Sequence, residues 1–190
     1  MYCPQCGRPG LQSREDHEFR CDCGFHYFHN VAAAVAAILQ CGDEMLVTRR
    51  AREPGKGQLD FPGGFVDPAE SLEQALRREL HEELGLDIAG LPCHWLGSAS
   101  NGYPYDGICY HTCDCYFHLP LAAKPAILGQ ADVAEAFWLP LAELDPREFA
   151  FGSSRDGLTM LHKQLKNDTN KPSSSCDKRL SLSAGLKSGA

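Results

Sequence analysis

The chain has 190 residues, enough for one well-cored domain with a small satellite and too few for two domains of ordinary size. Its composition, 43% hydrophobic and 23% charged, is that of a globular chain, and the longest apolar run, 31–39, is too short to cross a bilayer. A formal net charge of -7 argues against a general nucleic-acid binder, because phosphate backbones are held by clustered Lys and Arg, but leaves room for a phosphorylated substrate if a divalent metal supplies positive charge.

Cysteine dominates the first 30 residues. Cys3-Pro-Gln-Cys6-Gly7 and Cys21-Asp-Cys23-Gly24 set two thiolate pairs 14 residues apart, each followed by the glycine that a tight metal knuckle favours. Four thiolates suit tetrahedral Zn2+, and a closed four-ligand site is structural rather than catalytic. The second pair is CxC, one residue shorter than the usual knuckle, so His26 or His29 stands as an alternative to one thiolate. No basic stretch followed by an apolar core precedes this segment, so reduced thiols elsewhere and a cytoplasmic location are expected.

Residues 31–40 and 44–49 flank Cys41-Gly42-Asp43 and are predicted to form a hairpin. Pro54 and Gly55 make 52–56 a loop, which leads into a short strand at 58–61 that stops at Pro62-Gly63-Gly64. A helix is predicted at 71–84: Ser71 and Gln74 form a capping-box pattern, Leu72, Leu76, Leu80 and Leu84 make an apolar stripe, and Gly85 sits where a left-handed cap belongs. The stretch 98–107, SASNGYPYDG, is predicted as a loop whose Tyr103 and Tyr105 either stack on a base or pack the turn. Alternation over 111–117 predicts a strand with His111, Cys113 and Cys115 on one face, read as a buried strand rather than a second metal site. Another strand begins at 137–139, and 154–166 reads as a closing amphipathic helix. The chain thus divides into a Cys-rich start (1–30), a mixed α and β core (31–166) and an aperiodic Ser/Lys/Asn tail (167–190) expected to be unstructured.

On the predicted helix, residues three and four apart share a face, so Glu79, Glu82 and Glu83 project together while the leucines turn to the core. Such like charges repel unless solvated, paired or loaded with metal, and oxygen-only ligands suit Mg2+ or Mn2+. An isolated Glu-Glu pair would be an ordinary solvated helix face. Here Gly64, Glu70, Arg78-Glu79, Glu82-Glu83 and Gly85 fall in fixed spacing, GFVDPAESLEQALRRELHEELGL, and every defining position resembles the box of the Nudix hydrolase family. The cysteine segment in turn resembles the zinc ribbon that precedes the Nudix domain in NADH-diphosphatase-like members.

The resemblance implies an α/β fold, a Nudix α/β/α sandwich with a mixed sheet, preceded by a small zinc ribbon with Cys3, Cys6, Cys21 and Cys23 on Zn2+. It implies that Glu79, Glu82 and Glu83 bind Mg2+ or Mn2+, that Arg78 pairs with Glu70 to brace the loop, and that Gly63 and Gly64 let the backbone approach metal and phosphate. Arg50 is a candidate phosphate contact or a solvated strand end, and Tyr103 a candidate base contact. In ADVAEAFW, Asp132 and Glu135 correspond to the acidic residue that approaches the metals in related enzymes, or are surface acids. The implied activity is hydrolysis of the diphosphate linkage in a nucleoside diphosphate derivative such as ADP-ribose, NAD(H) or FAD, by water attack at phosphorus. A sequence like SQPWPFPxS, which marks the NADH-diphosphatase branch, does not follow the box. The competing reading is a non-catalytic Nudix-fold module that binds a nucleotide or protein, with the ribbon as adaptor. A nucleotide-type small molecule is the expected partner, with no membrane and a homodimer in view.

Overall fold

A computed structural model of the chain describes residues 1–14, 17–127 and 133–169. At the start, β1 (Gln12–Ser13), β2 (Glu18–Arg20) and β3 (His26–Phe28) form a three-stranded antiparallel sheet. Among the described residues up to position 30, only Cys3 and Leu11 are buried apolar positions. So small an apolar core cannot hold a fold by itself; a cross-link has to do so.

The core is built on the hairpin of β4 (Ala32–Cys41) and β5 (Glu44–Arg50), turned by Gly42 in the left-handed region. Two short strands follow: β6 (Leu59–Asp60) on β5 and β7 (Gly63–Phe65) on β4. After α1 (Leu72–Leu84) come β8 (His94–Tyr105) and β9 (Ile108–Leu121), an antiparallel pair in which β9 runs parallel to β4. Finally β10 (Val133–Pro140) pairs with β5, and two short 3-10 turns lead to α2 (Gly152–Thr169). The sheet order is β10-β5-β4-β9-β8.

Alternation along β4 explains the layering. Val35, Ala37 and Leu39 pack with Ala75, Leu76, Leu80 and Leu84 of α1, while Ile38 packs with Leu158 and Leu161 of α2. A mixed sheet between two helices is an α/β/α sandwich. Both ends of α1 are closed locally: Ser71 Oγ accepts from the Gln74 N–H, Gln74 Oε1 accepts from the Ser71 N–H, and Gly85 adopts φ 68°. The Gly85 N–H reaches the His81 carbonyl at 2.9 Å, the single hydrogen bond of an αL cap.

Three expectations need correction. The stretch 98–107 is not a loop, because most of it lies in β8, whose Ser98 to Tyr105 pair residue by residue with β9. Pairing overrides the weak strand propensity of Ser, Asn, Gly and Pro, and Pro104 is tolerated because β8 is an edge strand. The element expected at 58–61 ends at Asp60, and Gly63, expected to stop it, opens β7. The closing helix runs through Thr169, past the boundary drawn at 167; residues 170–190 lie outside the described residues. No helix among the described residues is long and apolar enough to cross a membrane.

Candidate active site and zinc centre

A cleft of about 330 Å³ opens where β7 and α1 meet the sheet face carrying α2, and Glu79, Glu83, Gly63, Gly64, Arg50 and Tyr103 all line it. Glu83 Oε2 accepts a hydrogen bond from the Gly63 N–H at 2.9 Å. The two glycines allow this approach. A Cβ on Gly64 would lie 2.5 Å from Glu79 Oε1, and one on Gly63, at φ 150°, would lie 2.0 Å from the Val35 carbonyl oxygen. Gly63→Ala is therefore expected to lose about 3 kcal/mol of stability by forcing β7 away from β4, measurable by urea denaturation.

Arg78 holds the loop to the helix. Its Nε and Nη2 make a two-pronged contact to Glu70 at 2.9 and 3.0 Å, Nη2 donates to the Phe65 carbonyl at 2.9 Å, and Nη1 donates to Glu79 at 2.8 Å. Those contacts keep the Glu70 carboxyl below its ordinary range. Glu82 is placed differently from its neighbours: its side chain is 53% exposed, pairs with Arg78 Nη1 at 3.2 Å, and does not line the cleft.

Burial pushes the Glu83 carboxyl up to about 8, with the Glu79 and Asp60 charges adding to the rise, and burial raises Glu79 as well. Because the native pKa of Glu83 exceeds its ordinary 4.5, its contribution to stability is complete below about 4.5 and is lost as pH rises to about 8. Metal-free protein is expected to lose stability across that window by at most about 1.4 kcal/mol per pH unit. Denaturation at pH 5 and pH 8 checks this, and Glu83→Gln should flatten the slope.

Arg50 ends β5 inside the cleft. Its Nη1 donates to Asp60 Oδ2 at 2.9 Å, its Nε to the Pro54 carbonyl at 2.6 Å and its Nη2 to the Tyr103 hydroxyl at 3.3 Å, while its guanidinium lies 4.8 Å from the Phe151 ring centroid. Asp60 also accepts from Ser154 Oγ at 2.9 Å, and burial pushes its carboxyl up against the opposing Arg50 charge. Tyr103 stands edge-on to Phe65 with centroids 5.5 Å apart. Tyr105 is 58% exposed at the hairpin end.

Sequence reasoning missed Asp60, Phe151 and Ser154, and also Asn101, Thr112 and Asp114 on the cleft floor. For the β9 pair a signal existed: if Cys113 and Cys115 face the core, Thr112 and Asp114 must face the other way. Cys115 is indeed buried in the α1-side core, with Cys113 packed against it. Glu135 lies outside the cleft, because its place on β10 sets it against Arg49 of β5, where its side chain is 66% exposed and pairs at 3.6 Å. Asp132 falls outside the described residues.

The four N-terminal cysteines converge. Cys3, Cys6, Cys21 and Cys23 place their sulfurs within 4.8 Å of one another, with Cys3–Cys23 at 3.7 Å and Cys6–Cys21 at 3.8 Å. A tetrahedral zinc with bonds of about 2.3 Å requires sulfurs about 3.8 Å apart, so the donor set fits zinc. Positive φ at Gly7 and Gly24 turns the two knuckles, and the CxC pair brings both its sulfurs into the cluster. His26 instead pairs with Glu18 at 2.7 Å.

A carboxylate helix braced under a glycine loop, at a cleft in an α/β/α sandwich, defines a Nudix fold. The chain belongs to that family: the family model described as NUDIX domain matches residues 29–158. It is similar to the NAD-capped RNA hydrolase NudC of Pseudomonas aeruginosa, 28% identical over 148 residues that make up 76% of this chain and 49% of that protein. The corresponding protein of Stutzerimonas stutzeri is 28% identical over 144 residues, 75% of this chain and 49% of its own length. The chain thus spans about half the length of these curated relatives. Solved structures sharing the fold include the NUDIX domain of Shewanella oneidensis NrtR complexed with ADP ribose (TM-score 0.61, 23% identity, covering 73% of this chain and 90% of that one). Another is a NUDIX hydrolase from Nitrosomonas europaea (TM-score 0.60, 21% identity, covering 86% and 92%).

Proposed function

We propose that this chain hydrolyses the diphosphate linkage of a nucleoside diphosphate derivative, of the NAD(H) or ADP-ribose type, by water attack at phosphorus. The observation that carries this reading is the pair Glu79 and Glu83, aimed into the cleft beside the backbone of Gly63 and Gly64. All donors at that end are oxygens and their charges are under-compensated, the environment a hard divalent cation fits. Glu79 and Glu83, with Glu82 at the rim, would hold Mg2+ or Mn2+; the ion's chemistry is to acidify bound water and neutralise charge on the phosphate oxygens.

The protein's own groups then have distinct tasks. Arg78 and Glu70 fix the helix and loop relative to each other. Arg50, held in orientation by Asp60, presents its positive charge to the diphosphate. The proton of the attacking water would pass to a carboxylate of the Glu79 and Glu83 pair, the carboxylates of the helix that line the cleft. Tyr103 offers a ring for the base. The curated relatives are named for NAD-capped RNA, so a capped RNA is a substrate to try beside the free dinucleotide.

The test is hydrolysis of ADP-ribose, NADH, FAD, ATP and NAD-capped RNA at one Mg2+ concentration. Turnover of at least one diphosphate-bridged compound, lost on chelating the metal, is expected. No metal-dependent turnover with any of them would sink the proposal in favour of a binding module.

A further inference from the structure

We propose that Asp114 is the nucleoside-recognition residue of the cleft, its carboxylate accepting a hydrogen bond from a donor group on the sugar or base of the substrate; this rests on the hydrolase reading above. Asp114 lies on the cleft face of β9, directly between Ala34 of β4 and Ala99 of β8 in the sheet register. Two alanines as neighbours leave the space above the carboxylate open. On the same face, Thr112, 3% exposed, donates its hydroxyl to Asp114 Oδ1 at 2.6 Å, and Asn101 is the cross-strand partner of Thr112. A buried hydroxyl thus holds Oδ1 of a carboxylate that lines the cleft.

The charge balance points the same way. No ion pair among the described residues involves Asp114, and Arg50, the cation of the cleft, is committed to Asp60, the Pro54 carbonyl and Tyr103. An uncompensated carboxylate repels phosphate. With the diphosphate at the Glu79, Glu83 and Gly63 end, where the hydrolase reading would place the metal, the part of the substrate over Asp114 must bring hydrogen-bond donors. In a nucleoside these are the ribose hydroxyls or an exocyclic amine. A site built around such an acceptor discriminates against ligands that lack the donor, because its own polar group is then left unpaired.

Asp114→Asn tests this with little change of shape. Thr112 holds the amide oxygen as it holds Oδ1, so the amide NH2 replaces the acceptor in the cleft. Steady-state kinetics with Mg2+ would compare ADP-ribose, its hypoxanthine counterpart, in which an oxygen replaces the 6-amine, and its 2′-deoxy counterpart on the adenosine side. The expected result is a kcat/KM for ADP-ribose lowered about 10- to 100-fold, carried by KM, with an unchanged melting temperature. If the donor is the amine, the variant comes to prefer the hypoxanthine compound. If it is a ribose hydroxyl, the variant loses equally on both bases, and the wild type is weakened by the deoxy compound.

A variant within twofold of wild type on all three overturns the proposal. So does a loss confined to kcat that added Mg2+ restores, since that would make Asp114 a metal ligand. If the wild type turns over none of them, the five-compound panel above decides the hydrolase reading, and calorimetric binding of ADP-ribose to wild type and variant decides the role of Asp114: equal affinity or no binding to either removes it.

Discussion

Glu83→Gln is expected to lower kcat by about 10²- to 10⁴-fold while leaving the protein folded. Glu83 is a mostly buried carboxylate in the cleft, tied to the Gly63 N–H, so the substitution removes a charge and keeps the shape. Its folded state should gain stability at pH 8 relative to wild type, because the glutamine avoids the cost of charging a buried acid there. Lost turnover with unchanged or higher stability separates chemistry from folding. Glu82→Gln is the informative partner. Glu82 is more than half exposed and turned toward Arg78, so its loss is expected to cost about tenfold or less in kcat. Equal losses for the two variants would contradict the division of roles drawn from their positions, and a fully active Glu83→Gln would remove Glu83 from the mechanism.

Removing zinc should have the other large effect, confined to the first 30 residues. Apparent binding energies of about 10–16 kcal/mol are typical for four-ligand structural zinc, far more than the two buried apolar positions there can supply. One zinc per chain is expected by elemental analysis, and cobalt in its place should give the visible spectrum of a tetrahedral thiolate site. Cys23→Ser tests the CxC pair directly, since Cys23 lies 3.7 Å from Cys3 and closes the tetrahedron. Chelation or Cys23→Ser is expected to melt the ribbon and leave the main unfolding transition of the core in place. Zinc retained at full stoichiometry in Cys23→Ser would mean that a different side chain completes the site.

Much of this was legible in the linear chain, and the legible part is local. The ends of α1 follow from Ser71, Gln74 and Gly85, and its buried stripe from leucines at the helical period, because capping and periodicity act within one or two turns. The cysteine quartet was readable because metal knuckles have short, fixed spacing. The β8 strand was not, because its residues form a strand only when β9 supplies the hydrogen bonds. Nor did spacing predict that Glu82 would leave its neighbours: a shared helical face is broad, and of the three carboxylates only Glu79 and Glu83 line the cleft, while Glu82 is more than half exposed.

The other groups that line the cleft depend still more on long-range contacts. Asp60 meets Arg50 ten positions away and Ser154 ninety-four positions away, a junction of β6, β5 and α2. Asp114 faces the cleft only because β9 lies between β4 and β8 in one register; a slip of one residue would bury it against α1 instead. Sequence alone determined the carboxylate helix and the cysteine quartet, both written in short-range spacing. Tertiary structure decided which side chains line the cleft, because strand order and register join residues that the chain keeps far apart.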